Sequence, residues 1–156
     1  MSVVNETDSG TKDSTIRALA KTQRELSTEF KQAMKNYWRK VYDLARQLCF
    51  EMAYDTGTLY RSIRLVWDAG GSFGPYEVVV GSESENITAL IRVGGGMFIN
   101  PKSGRIVDYA AAVHDGTRYM AERPFLRYAI ELCESYRLSI LQRNIDKALS
   151  KFERVI

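Results

Sequence analysis

The sequence predicts an α+β domain: a long N-terminal helix, a small antiparallel β-sheet with a long hairpin, a short helix and a long C-terminal helix. Three observations carry this expectation. Apolar residues recur at helical spacing over residues 14–53, a run free of Gly and Pro. Runs rich in β-branched residues, separated by turn residues, fill residues 63–107. Helical spacing then resumes after Pro124 and lasts nearly to the C-terminus.

In the first helix Ile16, Leu19, Leu26, Phe30, Met34, Tyr37, Val41, Leu44 and Leu48 follow the 3-and-4 spacing of a buried face. Asp13 or Ser14 is placed to cap its start, because a short side-chain oxygen accepts the first free N–H groups. Residues 1–13 carry little apolar surface and read as a flexible arm; 14–156 read as one domain. Strands are expected at 63–67, 76–80 and 87–93, the first two separated by DAGGSFGP. Residues 97–99 and 105–107 flank NPKSG, a good turn because Pro presets φ and Gly accepts positive φ. A short helix is expected at 109–113. Pro124 opens the last helix at its first position, where its missing N–H costs nothing. Leu126, Ala129, Ile130, Cys133, Ile140, Leu141, Ile145, Ala148 and Phe152 form that helix's apolar face.

The chain has 156 residues, 45% hydrophobic and 26% charged, which suits one globular domain. No apolar run approaches the ~18 residues of a bilayer span, so no membrane role is expected. The N-terminus lacks the basic start and apolar segment of a secretory signal. Cys49 and Cys133 are too few for a zinc site and suit a reducing compartment. With one histidine, His114, metal sites and His-based triads have little to draw on. No cofactor is expected: Gly94-Gly95-Gly96 lacks the Lys-Ser/Thr of a phosphate loop and reads as part of a flexible hairpin. Trp38 and Trp67 read as core or interface aromatics.

Asp55-Thr56-Gly57 matches the signature tripeptide of aspartic proteases. Such an enzyme needs its aspartate at a strand end, on a turn that lets two carboxylates share a proton. Here LARQLCFEMAY precedes it, the end of a helix, and no second copy follows. The turn reading is simpler. Asp55 caps a new helical turn, Gly57 lets the chain reverse, and Leu59 and Ile63 face the core together.

Two stretches, DTGTLYRSI at 55–63 and DYAAAVHDGTRYMAERPFLRYAIE at 108–131, together resemble the neck and tail-completion proteins of long-tailed bacteriophages. The matching positions are Asp55, Thr56, Gly57, Leu59, Ser62 and Ile63, then Tyr109, Ala110, Val113, Gly116 and Thr117, then Arg123, Pro124, Phe125 and Leu126. Order, spacing and the β-rich interval agree over roughly residues 40–135. The sequence departs from the family at His114, often a carboxylate there, at Glu122, and at Tyr128, commonly a proline. The resemblance implies a non-enzymatic virion protein, made in the host cytoplasm and assembled at the head–tail junction or the top of the tail. It also implies a ring, sixfold, that contacts neighbouring neck, connector and tail-tube or terminator proteins. The N-terminal arm, DAGGSFGP and the hairpin at 94–104 would serve as docking segments. Each motif residue has a packing or turn role; Arg123, expected at a buried edge, is the one suited to bridge to another subunit.

Spacing alone adds one feature. At ~100° per residue, Arg17, Lys21, Arg24, Lys31, Lys35, Arg39 and Arg46 fall within about 80° of azimuth, opposite the apolar stripe. The ridge is ~44 Å long at ~1.5 Å per residue. It fits a solvated face, an acidic surface on a neighbouring subunit, or passing DNA held through its phosphates. The alternative function is accordingly a non-enzymatic nucleic-acid-binding accessory protein. Tight phosphate binding would hinder a channel through which DNA slides, which favours a protein partner within a neck.

Overall fold

A computed structural model describes residues 7–67, 77–84 and 87–154 of the chain. The expected docking loop DAGGSFGP, the first six residues of the expected arm and the start of the second strand at Tyr76 lie outside the described residues. The order is α1 (Thr7–Ala53), α2 (Thr58–Arg61), β1 (Arg64–Trp67), β2 (Val78–Ser84), β3 (Ile87–Val93), β4 (Gly95–Ile99), β5 (Ile106–Val107), α3 (Ala110–Asp115) and α4 (Phe125–Glu153). The expected α+β class is found, with its two long helices at the ends of the chain.

α1 runs through the position where a cap was expected. Residues 7–13 are helical, so Asp13 and Ser14 lie inside the helix. Gly10 costs a helix only ~1 kcal/mol relative to Ala and does not stop it. α4 packs antiparallel on α1: Glu29 takes both Lys147 and Lys151 at 3.6 and 3.2 Å, and the Lys40 ammonium lies over the Tyr136 ring. The described part of α4 ends shortly beyond Glu29, so the first turns of α1 extend past it. That is why Ile16 and Leu19, expected in the core, are exposed. Farther along α1, Ala33, Tyr37, Trp38, Val41, Ala45 and Cys49 are buried, as are Leu126, Ala129 and Cys133 of α4. Pro124 precedes α4 instead of opening it; its carbonyl accepts the Tyr128 N–H at 3.0 Å, one place earlier than expected.

β3 is the centre of a three-stranded antiparallel sheet, β1-β3-β2. Register places Leu65, Ile91 and Val80 in one row and Trp67 beside Ala89, all on the face that packs on the helices. Alternation puts Arg64, Arg92 and Val79 on the opposite face. Over part of that face folds the β4–β5 hairpin. The chain turns the corner at Gly94 and Gly95, with φ of 88° and 111°. The triple glycine is therefore a joint between two sheets, because a side chain at Gly95 would press on Glu77 Oε1 at 3.0 Å. Gly95 and Gly96 open β4, as the expected hairpin requires, and Gly94 and Gly95 are buried. The NPKSG turn is as expected, with Gly104 N–H donating to Asn100 O at 2.8 Å and φ of 66° at Gly104.

Candidate assembly surfaces

The two stretches that carry the phage resemblance lie 45 residues or more apart and meet at one joint. α1 ends at Ala53, and the Tyr54 ring lies over Gly57, whose φ of 76° suits glycine. The expected Asp55 cap is absent. α2 starts after Gly57 with no side-chain cap of its own, and Thr56 Oγ1 accepts the Thr58 N–H at 3.4 Å. Asp55 instead pairs with the Lys102 ammonium in the β4–β5 turn, and both side chains are exposed. An exposed pair of this kind contributes ~0–1 kcal/mol, so it orients the turn more than it stabilises the fold.

Ser62 joins helix to sheet. It is fully buried, donates from Oγ to Leu59 O at 2.6 Å and accepts the Gly94 N–H at 2.9 Å. Leu59 and Ile63 are buried beside it, as expected from their spacing. On the other stretch, Phe125 and Leu126 are fully buried, and the His114 ring meets Phe125 edge to face at 5.4 Å. His114 Nδ1 lies 2.6 Å from Asp115 Oδ1, while its buried Nε2 has no hydrogen-bond partner among the described residues. Gly116 closes α3 with φ 77° and ψ 174°, a positive-φ conformation that favours glycine. Thr117 and Met120 form a small bridge beyond it, and Tyr109 receives a hydrogen bond from Asn100 Nδ2 at 3.2 Å.

Between the stretches is a cleft of about 180 Å³, bordered by Tyr54 to Gly57, Tyr60, Asn100, Tyr109 and Arg123. Arg123 is exposed on its rim, where a buried edge was expected; its backbone N–H is tied to Val113 O at 2.9 Å. Asp55 is the one carboxylate among the described lining residues. The protease reading needs its aspartate at a strand end, and Asp55 lies in the turn between α1 and α2.

The basic ridge divides. Arg46 is half-buried, its guanidinium 4.4 Å from the Tyr60 ring centroid and 5.5 Å from that of Tyr42. Lys35 lies over Trp67 at 6.0 Å. These two are engaged by the chain's own aromatics, and Lys31 is half-buried. Arg17, Lys21, Arg24 and Arg39 are exposed and form no salt bridge among the described residues. Lys35 is exposed as well, so these five residues are the part of the ridge that reaches solvent.

A feature that sequence reasoning did not single out lies under the β4–β5 hairpin. Glu77, with 5% of its side chain exposed, holds Arg64 at 2.7 Å and Arg92 at 2.5 Å. Arg64 also donates to Gly94 O at 2.8 Å and lies over the Phe98 ring at 5.1 Å. The signal was a lone carboxylate before VVV, but its partners could be found only from the strand register.

Cys49 is fully buried on α1, and burial pushes its thiol up to about 12 from an ordinary 9.0. Burial also raises Cys133, and Tyr37 is raised by burial and by Glu134. A raised thiol is a poor nucleophile at neutral pH. The consequence for stability has a definite sign. The unfolded chain ionises near pH 9 while the folded one keeps its proton, so this contribution is intact below pH 9 and falls as pH rises toward 12. Unfolding free energy measured at pH 9, 10 and 11 should drop more steeply for the wild type than for Cys49→Ala, by ~1 kcal/mol per pH unit. Parallel curves would refute the assignment.

No group of three or more His, Cys, Asp or Glu side chains that could hold a metal ion is present among the described residues. No helix there is long and apolar enough to cross a membrane. No protein-family model, curated protein or solved structure matches this chain.

Proposed function

We propose that this chain is a structural protein of a tailed-phage virion, forming a ring, sixfold, at the head–tail junction or the top of the tail. It would help complete or attach the tail, beside connector and tail-tube or terminator proteins, after synthesis in the host cytoplasm. The observation that carries this reading is the convergence of the two resembling stretches on one joint. Ser62, Gly57, Gly116, Phe125 and Leu126 act there through packing and backbone geometry. Residues used in this way specify a shape, which is what an assembly subunit needs. The cleft rim with Arg123, together with the outward basic residues of α1, supplies contact surface.

Quantitative mass spectrometry of purified virions tests this. The chain should be present at a ring-like stoichiometry, about half the portal protein's copy number or equal to it. Its absence from particles would refute the proposal. The exposed cations of α1 favour one alternative, a non-enzymatic DNA-binding accessory protein. That reading requires binding to duplex DNA that weakens steeply with salt.

A further inference from the structure

α4 carries an acidic, apolar stripe that matches the exposed cations of α1. At ~100° per residue, Glu131, Glu134, Leu138, Asp146, Leu149 and Glu153 fall within about 120° of azimuth. All six are exposed; Leu138 and Leu149 are 61% and 45% accessible. Of the basic residues of α4 after Glu131, Arg143, Lys147 and Lys151 lie at other azimuths by the same count, while Arg137 pairs with Glu134 at the edge of the stripe. The stripe lies roughly opposite the residues with which α4 grips α1, among them Ala129, Cys133 and Ile140. The cations Arg17, Lys21, Arg24 and Arg39 likewise point away from α4, opposite Leu26 and Phe30.

The two surfaces therefore lie on outer sides of the helical pair, with Arg17 and Lys21 on the turns of α1 that extend past the described end of α4. Their lengths agree. From Arg17 to Arg39 and from Glu131 to Glu153 are 22 positions each, ~33 Å of helix. We infer that the α1 cations of one copy pack on the α4 stripe of the next. Arg and Lys stems would cover Leu138 and Leu149 while their heads meet the carboxylates. The contact joins two different surfaces, so it is head-to-tail and propagates into a closed ring or a filament. It supplies the subunit contact of the proposed ring and rests on that reading.

Charge reversal on the full-length chain tests it, with sedimentation velocity at low salt as the readout. The wild type should self-associate as concentration rises, and 1 M salt should reduce this. Arg17→Glu/Arg24→Glu and Glu131→Arg/Glu153→Arg should each be monomeric, with unchanged circular dichroism and melting temperature. The quadruple variant, with both faces reversed, should associate again. A monomeric wild type, or a quadruple variant that stays monomeric, would overturn the contact. So would loss of duplex-DNA binding in the α1 variant while self-association persists, which would assign the cations to DNA. Virion stoichiometry separates this from the functional reading. A chain at ring stoichiometry whose variants assemble normally refutes the contact alone. A chain that associates through these faces but is absent from virions refutes the virion role alone.

Discussion

Gly116→Ala should destabilise the protein by ~3 kcal/mol and lower its melting temperature by ~6–12 °C. Two separate costs add at this position. The backbone has φ 77° and ψ 174°, a region that side-chain-bearing residues occupy only at ~1–3 kcal/mol of strain. A Cβ there would also stand 2.8 Å from Glu122 N, 3.0 Å from Met120 O and 3.1 Å from Glu122 Cα. These neighbours are backbone and cannot swing aside as a long side chain would. Relief requires moving the segment that delivers Pro124, Phe125 and Leu126 to the core. Gly104→Ala is the internal control. It also has positive φ, at 66°, but its Cβ would meet nothing within 4 Å. That variant should lose only ~1 kcal/mol. Equal losses at the two glycines, measured by chemical denaturation, would show that the crowding at Gly116 is not real.

Much of this architecture was legible because it depends on local periodicity. The apolar spacing of 14–53 and 126–148 reports helices directly, since side chains three and four apart share a face. The alternation in ITALIRV likewise reports a strand with Ala89, Ile91 and Val93 on the core side. Capping was less legible. Asp13, Ser14 and Asp55 are all good cap residues by type, yet the first two lie mid-helix and the third pairs with Lys102, 47 residues away. A cap preference of about 1 kcal/mol is small enough for tertiary contacts to override.

The assembly surface was half legible for a related reason. Azimuth counting found the α1 ridge, but not that Lys35 and Arg46 turn back onto Trp67, Tyr42 and Tyr60. Those contacts depend on where β1 and α2 are placed against α1. The Glu77 cluster was invisible for the strongest form of this reason. Arg64, Glu77 and Arg92 meet only once β1 and β2 pair on opposite edges of β3 and the Gly94 corner folds a hairpin over them.

Glu77→Ala should cost ~3 kcal/mol, at the lower end of the range for removing one partner of a buried ion cluster. The lower end applies because the flanking arginines keep 28% and 23% of their side chains exposed and water can soften the loss. The physical cause is register. Arg64 and Arg92 are direct cross-strand partners, so without the carboxylate two like charges face each other beneath the hairpin. Glu77→Gln should recover only part of the stability, since it restores shape and one acceptor but leaves two positive charges uncompensated. Salt supplies the decisive comparison. Screening weakens repulsion between the arginines, so 0.5 M NaCl should narrow the gap between Glu77→Ala and the wild type. If the gap instead stays constant with salt, the loss is one of packing under the β4–β5 hairpin. Replacing the whole cluster with Leu at positions 64, 77 and 92 should be better tolerated than Glu77→Ala, because no unpaired charge remains buried.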